Sequence, residues 1–361
     1  MDSHPSHQRT IGRGAGVNPP NRFERVRTDE DLEQLDASEV SDEPRRVATV
    51  FLPNESRRLI TENDSPDVPF RYSINPYRGC EHGCAYCYAR PGHETLGMNA
   101  GLDFETRILV KHDAPQLLRA ELAAASWRGE HITLSGVTDC YQPAEREFRL
   151  TRGCLEVMLE ARQTVGIITK NALVTRDLDV LAALAAQNLV HVYLSITTLD
   201  AELARTLEPR TATPRARLRA IEELAAAGVP VGLMTAPIIP GLNDQEIPAI
   251  LQAARSAGAR SAGYVLLRLP FAVRPIFEDW LARHYPDHAP RVLALIRSTR
   301  DGRMNDPQFG SRMRGQGEYA QQIAQAFKVF RKKAGLDPSL PPLDASRFTP
   351  PRLAGGQLRL F

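Results

Sequence analysis

The sequence predicts an α/β protein whose core closes as a partial (β/α)6 TIM-like barrel, with a disordered N-terminal arm and a helical C-terminal extension. Three observations predict it. Six short β-forming runs recur between residues 72 and 267, helical patterns fill the intervals, and the composition changes on either side of that region. Strands alternating with helices imply parallel βαβ units, because a parallel connection needs a crossover long enough to hold a helix. Six such units are two short of a closed barrel, so an open one is the simplest closure.

The arm spans residues 1–68. It mixes Pro, Gly, Ser and charge, and from Asp29 to Glu43 it carries acids and no bases. Such a stretch buries too little apolar surface to offset its ordering entropy, so only Val47–Leu52 and Arg57–Ile60 are expected as short ordered pieces. The core, residues 69–270, has expected strands at Tyr72–Asn75, His131–Leu134, Val165–Thr169, Leu189–Ile196, Val229–Met234 and Gly263–Leu267. Helical faces between them are read from Leu118, Leu122 and Ala125, from Cys154, Met158 and Ala161, and from Leu178, Leu181 and Leu184. Two more come from Leu218, Ile221, Leu224 and Ala225 and from Ile247, Ile250, Leu251 and Ala254. Gly228 and Gly258 follow two of these runs, where a left-handed residue ends a helix. The extension, residues 271–361, reads as helix over Glu278–Arg283, Arg291–Thr299 and Glu318–Lys333 before a Pro-rich tail.

The chain has 361 residues, 42% of them hydrophobic and 24% charged, with a formal net charge of +2. That charge is too small to argue for nucleic acid by itself. No run approaches the length of a membrane helix, so no membrane partner is expected, and the N-terminus lacks the apolar stretch of a secretory signal. The expected location is therefore the cytoplasm, where the five cysteines stay reduced.

The decisive segment is Asn75-Pro-Tyr-Arg-Gly-Cys80-Glu-His-Gly-Cys84-Ala-Tyr86-Cys87-Tyr88. It places C-x3-C-x2-C in a Gly-rich loop after the first expected strand, and α/β folds build their sites on such loops. Three thiolates close in sequence can hold three corners of a [4Fe–4S] cubane and leave the fourth iron free for a small molecule. A structural zinc site, with His82 or His93 as fourth ligand, is the alternative. Against it, zinc sites use four ligands and usually paired Cys knuckles, whereas Cys140 and Cys154 stand alone here.

C-x3-C-x-aromatic-C after the first strand resembles the radical S-adenosylmethionine (SAM) superfamily. Tyr86-Cys87-Tyr88-Ala89-Arg90 is similar to the branch that includes spore photoproduct lyase, and the resemblance covers roughly residues 70–270. It implies a [4Fe–4S] cluster on Cys80, Cys84 and Cys87, SAM as second cofactor, and a low-potential electron donor such as flavodoxin or ferredoxin. The implied activity is reductive cleavage of SAM to a 5′-deoxyadenosyl radical, which takes hydrogen from a substrate held in the barrel.

The resemblance also implies the SAM contacts. Tyr86 packs by the adenine, and Thr138 and Asp139 stand in for the family's Gly-Gly-Glu-like stretch, which receives the SAM ammonium. Lys170 partners the methionine carboxylate, and Ser195 and Thr197 meet the carboxylate or ribose. Ile239 and Gly241, in the turn Ala236–Asp244, wall the adenine, because apolar residues exposed at a strand end need a ligand to cover them. The bland alternatives are a solvated lysine, hydroxyls that satisfy backbone, and an ordinary Pro/Gly turn. Arg210 pairs with SAM, with Asp139, or in an ordinary salt bridge.

The substrate is least legible. Spore photoproduct lyase repairs a thymine dimer in DNA, using a cysteine hydrogen donor beside the second-strand loop and tyrosines near its cluster. Cys140 and Tyr88 are the candidates here, although Cys140 stands about four residues out of register and packing is its alternative role. The Arg-rich segment Arg268–Arg314 fits either a phosphodiester or a solvated cap. Three readings follow: a radical SAM enzyme of unknown substrate, nucleic acid among the candidates; a DNA photoproduct lyase; and a non-catalytic zinc or iron–sulfur binding module.

Overall fold

The computed structural model describes residues 10–24 and 46–353. Its strands are β1 Val50–Pro53, β2 Ile60–Glu62, β3 Tyr72–Ile74, β4 Tyr77–Arg78, β5 Arg107–Val110, β6 Ile132–Leu134, β7 Val165–Thr169, β8 Val190–Ser195, β9 Val231–Ile238 and β10 Ser261–Leu266. The main sheet runs β10-β9-β8-β7-β6-β3-β2, and a small second sheet runs β1-β5-β4. The six expected runs are β3 and β6 to β10, and each pairs parallel with the next in chain order. β2 adds an antiparallel edge. The architecture is mixed α/β around a parallel sheet.

Alternation along the strands sets the core. Val165 and Ile167 on β7, Val190, Val192 and Leu194 on β8, and Val231 and Leu233 on β9 are all fully buried. They share one core with Leu118, Leu122, Cys154, Met158, Leu181, Leu184, Ile221, Leu224, Ile250 and Leu251, the helical faces that the 3.6-residue period picks out. Side-chain caps start two of the helices after β8. Asp200 accepts from the Glu202 and Leu203 amides, and Thr213 accepts from the Ala216 amide ahead of helix Pro214–Ala226.

The C-terminal extension is integral to this core. Helix Gly317–Lys333 inserts Ala320, Ile323 and Phe327 beside the sheet. Helix Val273–His284 buries Phe277, Trp280 and Leu281 against Cys84 and Tyr86. Arg300, 2% exposed, pins the join: it donates to the carbonyls of Leu266 and Leu267 at the end of β10 and to those of Ser311 and Arg312.

One expectation is corrected. Within residues 1–68, β1 and β2 fall on the two short ordered pieces that were expected, whereas the contacts of residues 10–24, with Arg13 and Ala15 buried, were not. The acid run Asp29–Glu43, which weighed most in that expectation, lies outside the described residues. The segment before it is ordered through backbone hydrogen bonds, which composition does not count.

Arg300→Met should cost about 2–4 kcal/mol in urea unfolding, because it leaves several carbonyls buried without a donor. A change below about 0.5 kcal/mol would show that the extension is not pinned this way.

Candidate active site

The cysteine loop follows β4. Gly79 and Gly83 take left-handed φ values of 86° and 65°, which L side chains adopt at a cost. A Cβ at Gly79 would come within 3.0 Å of the Phe104 carbonyl. Cys80 and Cys84 are buried and Cys87 is half-buried. Burial pushes all three thiols above the usual range, and for Cys80 the neighbouring Asp139, Cys87 and Cys84 add to the rise. The His82 amide donates toward Cys80 and the Ala89 amide toward Cys87, each favouring thiolate. Three buried or half-buried thiols, two of them with amide donors aimed at them, are suited to a metal group, whose positive charge supplies what burial withholds.

Two histidines bear on the zinc alternative. His82 places Nε2 3.1 Å from Asn171 Nδ2 and Nδ1 3.5 Å from Asp139, and burial holds its pKa down to about 4. His93 places Nε2 2.9 Å from the Arg107 carbonyl. Both rings thus have polar partners outside the loop. Among the described residues, no three or more Cys, His, Asp or Glu side chains converge as ligands of one ion. A cubane asks for something different, since each thiolate takes its own iron.

The strand ends surround this loop. After β6, Ser135 holds a left-handed φ of 71°, and its hydroxyl accepts from the Cys140 amide at 2.7 Å. Asp139 accepts from Thr169 Oγ1 at 2.7 Å and from the Lys170 amide at 2.8 Å, tying the β6 loop to the end of β7. The Thr138 hydroxyl donates to the Tyr77 carbonyl at 2.6 Å. Thr138 and Asp139 are thereby engaged in holding the loops together. Lys170 is free of such engagement: its ammonium lies 5.8 Å from the Tyr86 ring centroid and makes no ion pair among the described residues.

Beneath Tyr86 is a buried charge pair whose depth the sequence did not reveal. Glu208 and Arg217 side chains are 0% and 1% exposed and 2.5 Å apart. The Tyr86 and Thr197 hydroxyls both donate to Glu208 Oε1. Burial pushes the Glu208 carboxyl up, but Arg217 and Lys170 outweigh it and the net shift is down. Arg217 also donates to the Ser195 carbonyl at 3.0 Å, so Tyr86, Ser195 and Thr197 are held by one ion pair. One signal was available: Arg217 interrupts the apolar stripe of Ala220, Ile221 and Leu224, and a cation on a buried face needs a partner.

Other expected contacts differ. Ile238 and Ile239 are fully buried, not exposed, because Leu267, Leu269 and the extension helices pack around Ile239. Gly241 abuts Leu295, where a Cβ would come within 2.6 Å of Cδ1. Arg210 pairs with Glu81 at 3.1 Å, so the ordinary salt-bridge reading is the one observed. Cys140 is 1% exposed in the main core, with burial pushing its thiol well up. Tyr88 is 50% exposed, its hydroxyl donates to the Gly136 carbonyl at 2.9 Å, and the Arg268 guanidinium stands 5.9 Å from its ring centroid.

A family model described as the radical SAM superfamily matches residues 74–254. An uncharacterised protein of Mycobacterium tuberculosis is 40% identical over 232 residues, 64% of this chain and 68% of its own length. Another, from Methanocaldococcus jannaschii, is 32% identical over 176 residues, 49% of this chain and 63% of its own. Spore photoproduct lyase complexed with dinucleoside spore photoproduct superposes with a TM-score of 0.56 at 16% identity, covering 78% of this chain and 79% of that one. A mutant of that lyase with bound AdoMet gives 0.57 at 17% identity, covering 79% of each. The likeness to these two structures is one of fold.

Glu208→Gln should destabilise the protein by about 3–5 kcal/mol, because Arg217 then stays buried without its counter-charge. Guanidinium unfolding measures this. A loss below about 1 kcal/mol would mean that water reaches Arg217.

Proposed function

The chain belongs to the radical SAM superfamily and is an enzyme of radical chemistry; from that premise we propose that Cys80, Cys84 and Cys87 hold a [4Fe–4S] cluster against which SAM binds. The observation that carries the proposal is the loop itself: three buried or half-buried thiols within eight residues, two of them facing backbone amides. The parallel strands are read as a partial (β/α)6 barrel whose C-terminal ends form the mouth. When bound, the cluster supplies the electron that cleaves SAM to methionine and a 5′-deoxyadenosyl radical.

The chain's own residues bind and orient. Lys170, a cation that makes no ion pair among the described residues, takes the methionine carboxylate. Tyr86, fixed by Glu208, packs by the adenine, while Ile239, fully buried, backs the site from the core. Thr138, Asp139, Ser195, Thr197 and Gly241 act mainly by holding the strand-end loops, through the bonds and contacts described above. Tyr88, on the exposed rim beside Cys87, is the residue assigned to the substrate side. Superfamily enzymes need a reductant, and a flavodoxin or ferredoxin suits the potential required. No helix among the described residues is long and apolar enough to cross a membrane.

Photoproduct repair is the second reading, favoured by a fold neighbour complexed with a dinucleoside photoproduct. It needs a thiol hydrogen donor at the substrate, and a Cys140 that is 1% exposed supports packing instead. A non-catalytic zinc or iron–sulfur module has the least support.

Anaerobically purified protein should be brown, with about four irons and four sulfides per chain. Incubated with dithionite and SAM, it should release 5′-deoxyadenosine. Cys80→Ala, Cys84→Ala or Cys87→Ala should lose the colour and Cys154→Ala should keep it; a colourless protein with one tight zinc would overturn the proposal. Lys170→Gln should weaken SAM binding about thirtyfold, the equivalent of about 2 kcal/mol for a charged hydrogen bond. Unchanged affinity by equilibrium dialysis would remove Lys170 from the site.

A further inference from the structure

We propose that residues 12–16 form a strap that seals the cysteine loop, with Glu105 as its latch, so that the N-terminal segment positions the cluster. The inference rests on the cluster reading above. Both the Gly14 and the Ala15 amides donate to the Glu105 carboxylate, at 3.0 and 2.8 Å, and Arg13 Nη1 donates to the Glu105 carbonyl at 2.8 Å. Glu105 is fully buried, and its other partner is the equally buried Arg90, at 2.6 Å. Arg90 in turn donates to the Cys84 carbonyl through Nε at 3.0 Å and Nη2 at 2.8 Å. A continuous path therefore runs from the strap, through one carboxylate and one guanidinium, to the backbone of the second cluster cysteine.

The strap also touches the loop directly. A Cβ at Gly14 would lie 1.8 Å from the Gly83 carbonyl oxygen and 3.3 Å from the Ala85 amide, so only glycine fits there. A second tie reaches the first cysteine. Arg13 Nη2 donates to the Val47 carbonyl and to Thr49 Oγ1, and the Thr49 hydroxyl donates to Glu81, the neighbour of Cys80. Further along, Asn21 donates to the carbonyls of Glu94 and Met98, and Arg22 pairs with Glu94 at 2.7 Å.

Charge gives this arrangement its consequence. A buried carboxylate with three donors is satisfied, and with its two amides removed it draws water or Arg90 toward itself. Either movement disturbs the Cys84 carbonyl and opens the loop to solvent. Water beside a cluster stabilises its more highly charged, reduced form, so solvent exposure is one of the levers on its potential. Without the strap the cluster should be easier to reduce and quicker to decay in air.

Full-length Gly14→Ala and Glu105→Gln test this against wild type and Ile11→Ala, whose side chain is exposed. The readouts are iron and sulfide content, the midpoint potential by EPR-monitored titration, the half-life of the cluster absorbance in air, and the far-UV spectrum. Both strap variants should keep the wild-type far-UV spectrum. They should shift the one-electron equilibrium about tenfold toward the reduced cluster, about 59 mV, and shorten the air half-life several-fold, with Ile11→Ala unchanged. Wild-type potential and lifetime in both variants would overturn the strap. If Gly14→Ala does not fold, Glu105→Gln is judged alone by the same criteria. A wild-type protein that takes up no cluster would instead overturn the cluster reading, and the strap proposal with it.

Discussion

Three thiols held in a buried loop are the constraint around which the rest of the molecule is arranged. Burial opposes their ionisation, and a positive charge beside them favours the thiolate form. Around the loop, three buried or half-buried arginines are paired. Arg90 meets Glu105, Arg217 meets Glu208, and Arg210 meets Glu81. His82 stands near Asp139, but with its pKa held at about 4 it is neutral near pH 7 and only a dipole. Lys170, at the end of β7, makes no ion pair among the described residues, and its ammonium lies 5.8 Å from the Tyr86 ring centroid.

The buried ion pairs also link parts of the chain far apart in sequence. Glu208 and Arg217 lie after β8, yet they fix Tyr86 in the cysteine loop and the carbonyl of Ser195. Glu105 and Arg90 connect residues 14 and 15 with Cys84. Such pairs contribute little net stability when complete, but removing one member is costly. Here they hold the cysteine loop in one position against the ends of the strands.

Much of the fold was legible because its signals are local and periodic. Runs such as Val165–Thr169 and Val190–Ser195 are β-branched and short, and the helices between them carry apolar stripes. The sequence reading stopped β9 at Met234, whereas the strand runs on to Ile238. β1 and β5 pair with each other rather than within a helix-separated repeat, so β5 had no periodic signature. The contacts of residues 13–15 were not legible for a physical reason: the Gly14 and Ala15 amides and the Arg13 guanidinium meet a distant residue, Glu105, a long-range arrangement that composition cannot register. The site shows the same division. The cysteines were legible from spacing, and the strand-end residues from their position after each strand. What Thr138, Asp139 and Ile239 actually touch depends on neighbouring strands and on the extension, and no local pattern encodes that.

The measurement that bears most directly on this account is the EPR spectrum of dithionite-reduced, full-length protein before and after addition of SAM. A single [4Fe–4S]+ signal that changes shape when SAM is added, in the wild type and not in Cys84→Ala, is the predicted result. No signal, or one indifferent to SAM, would contradict it.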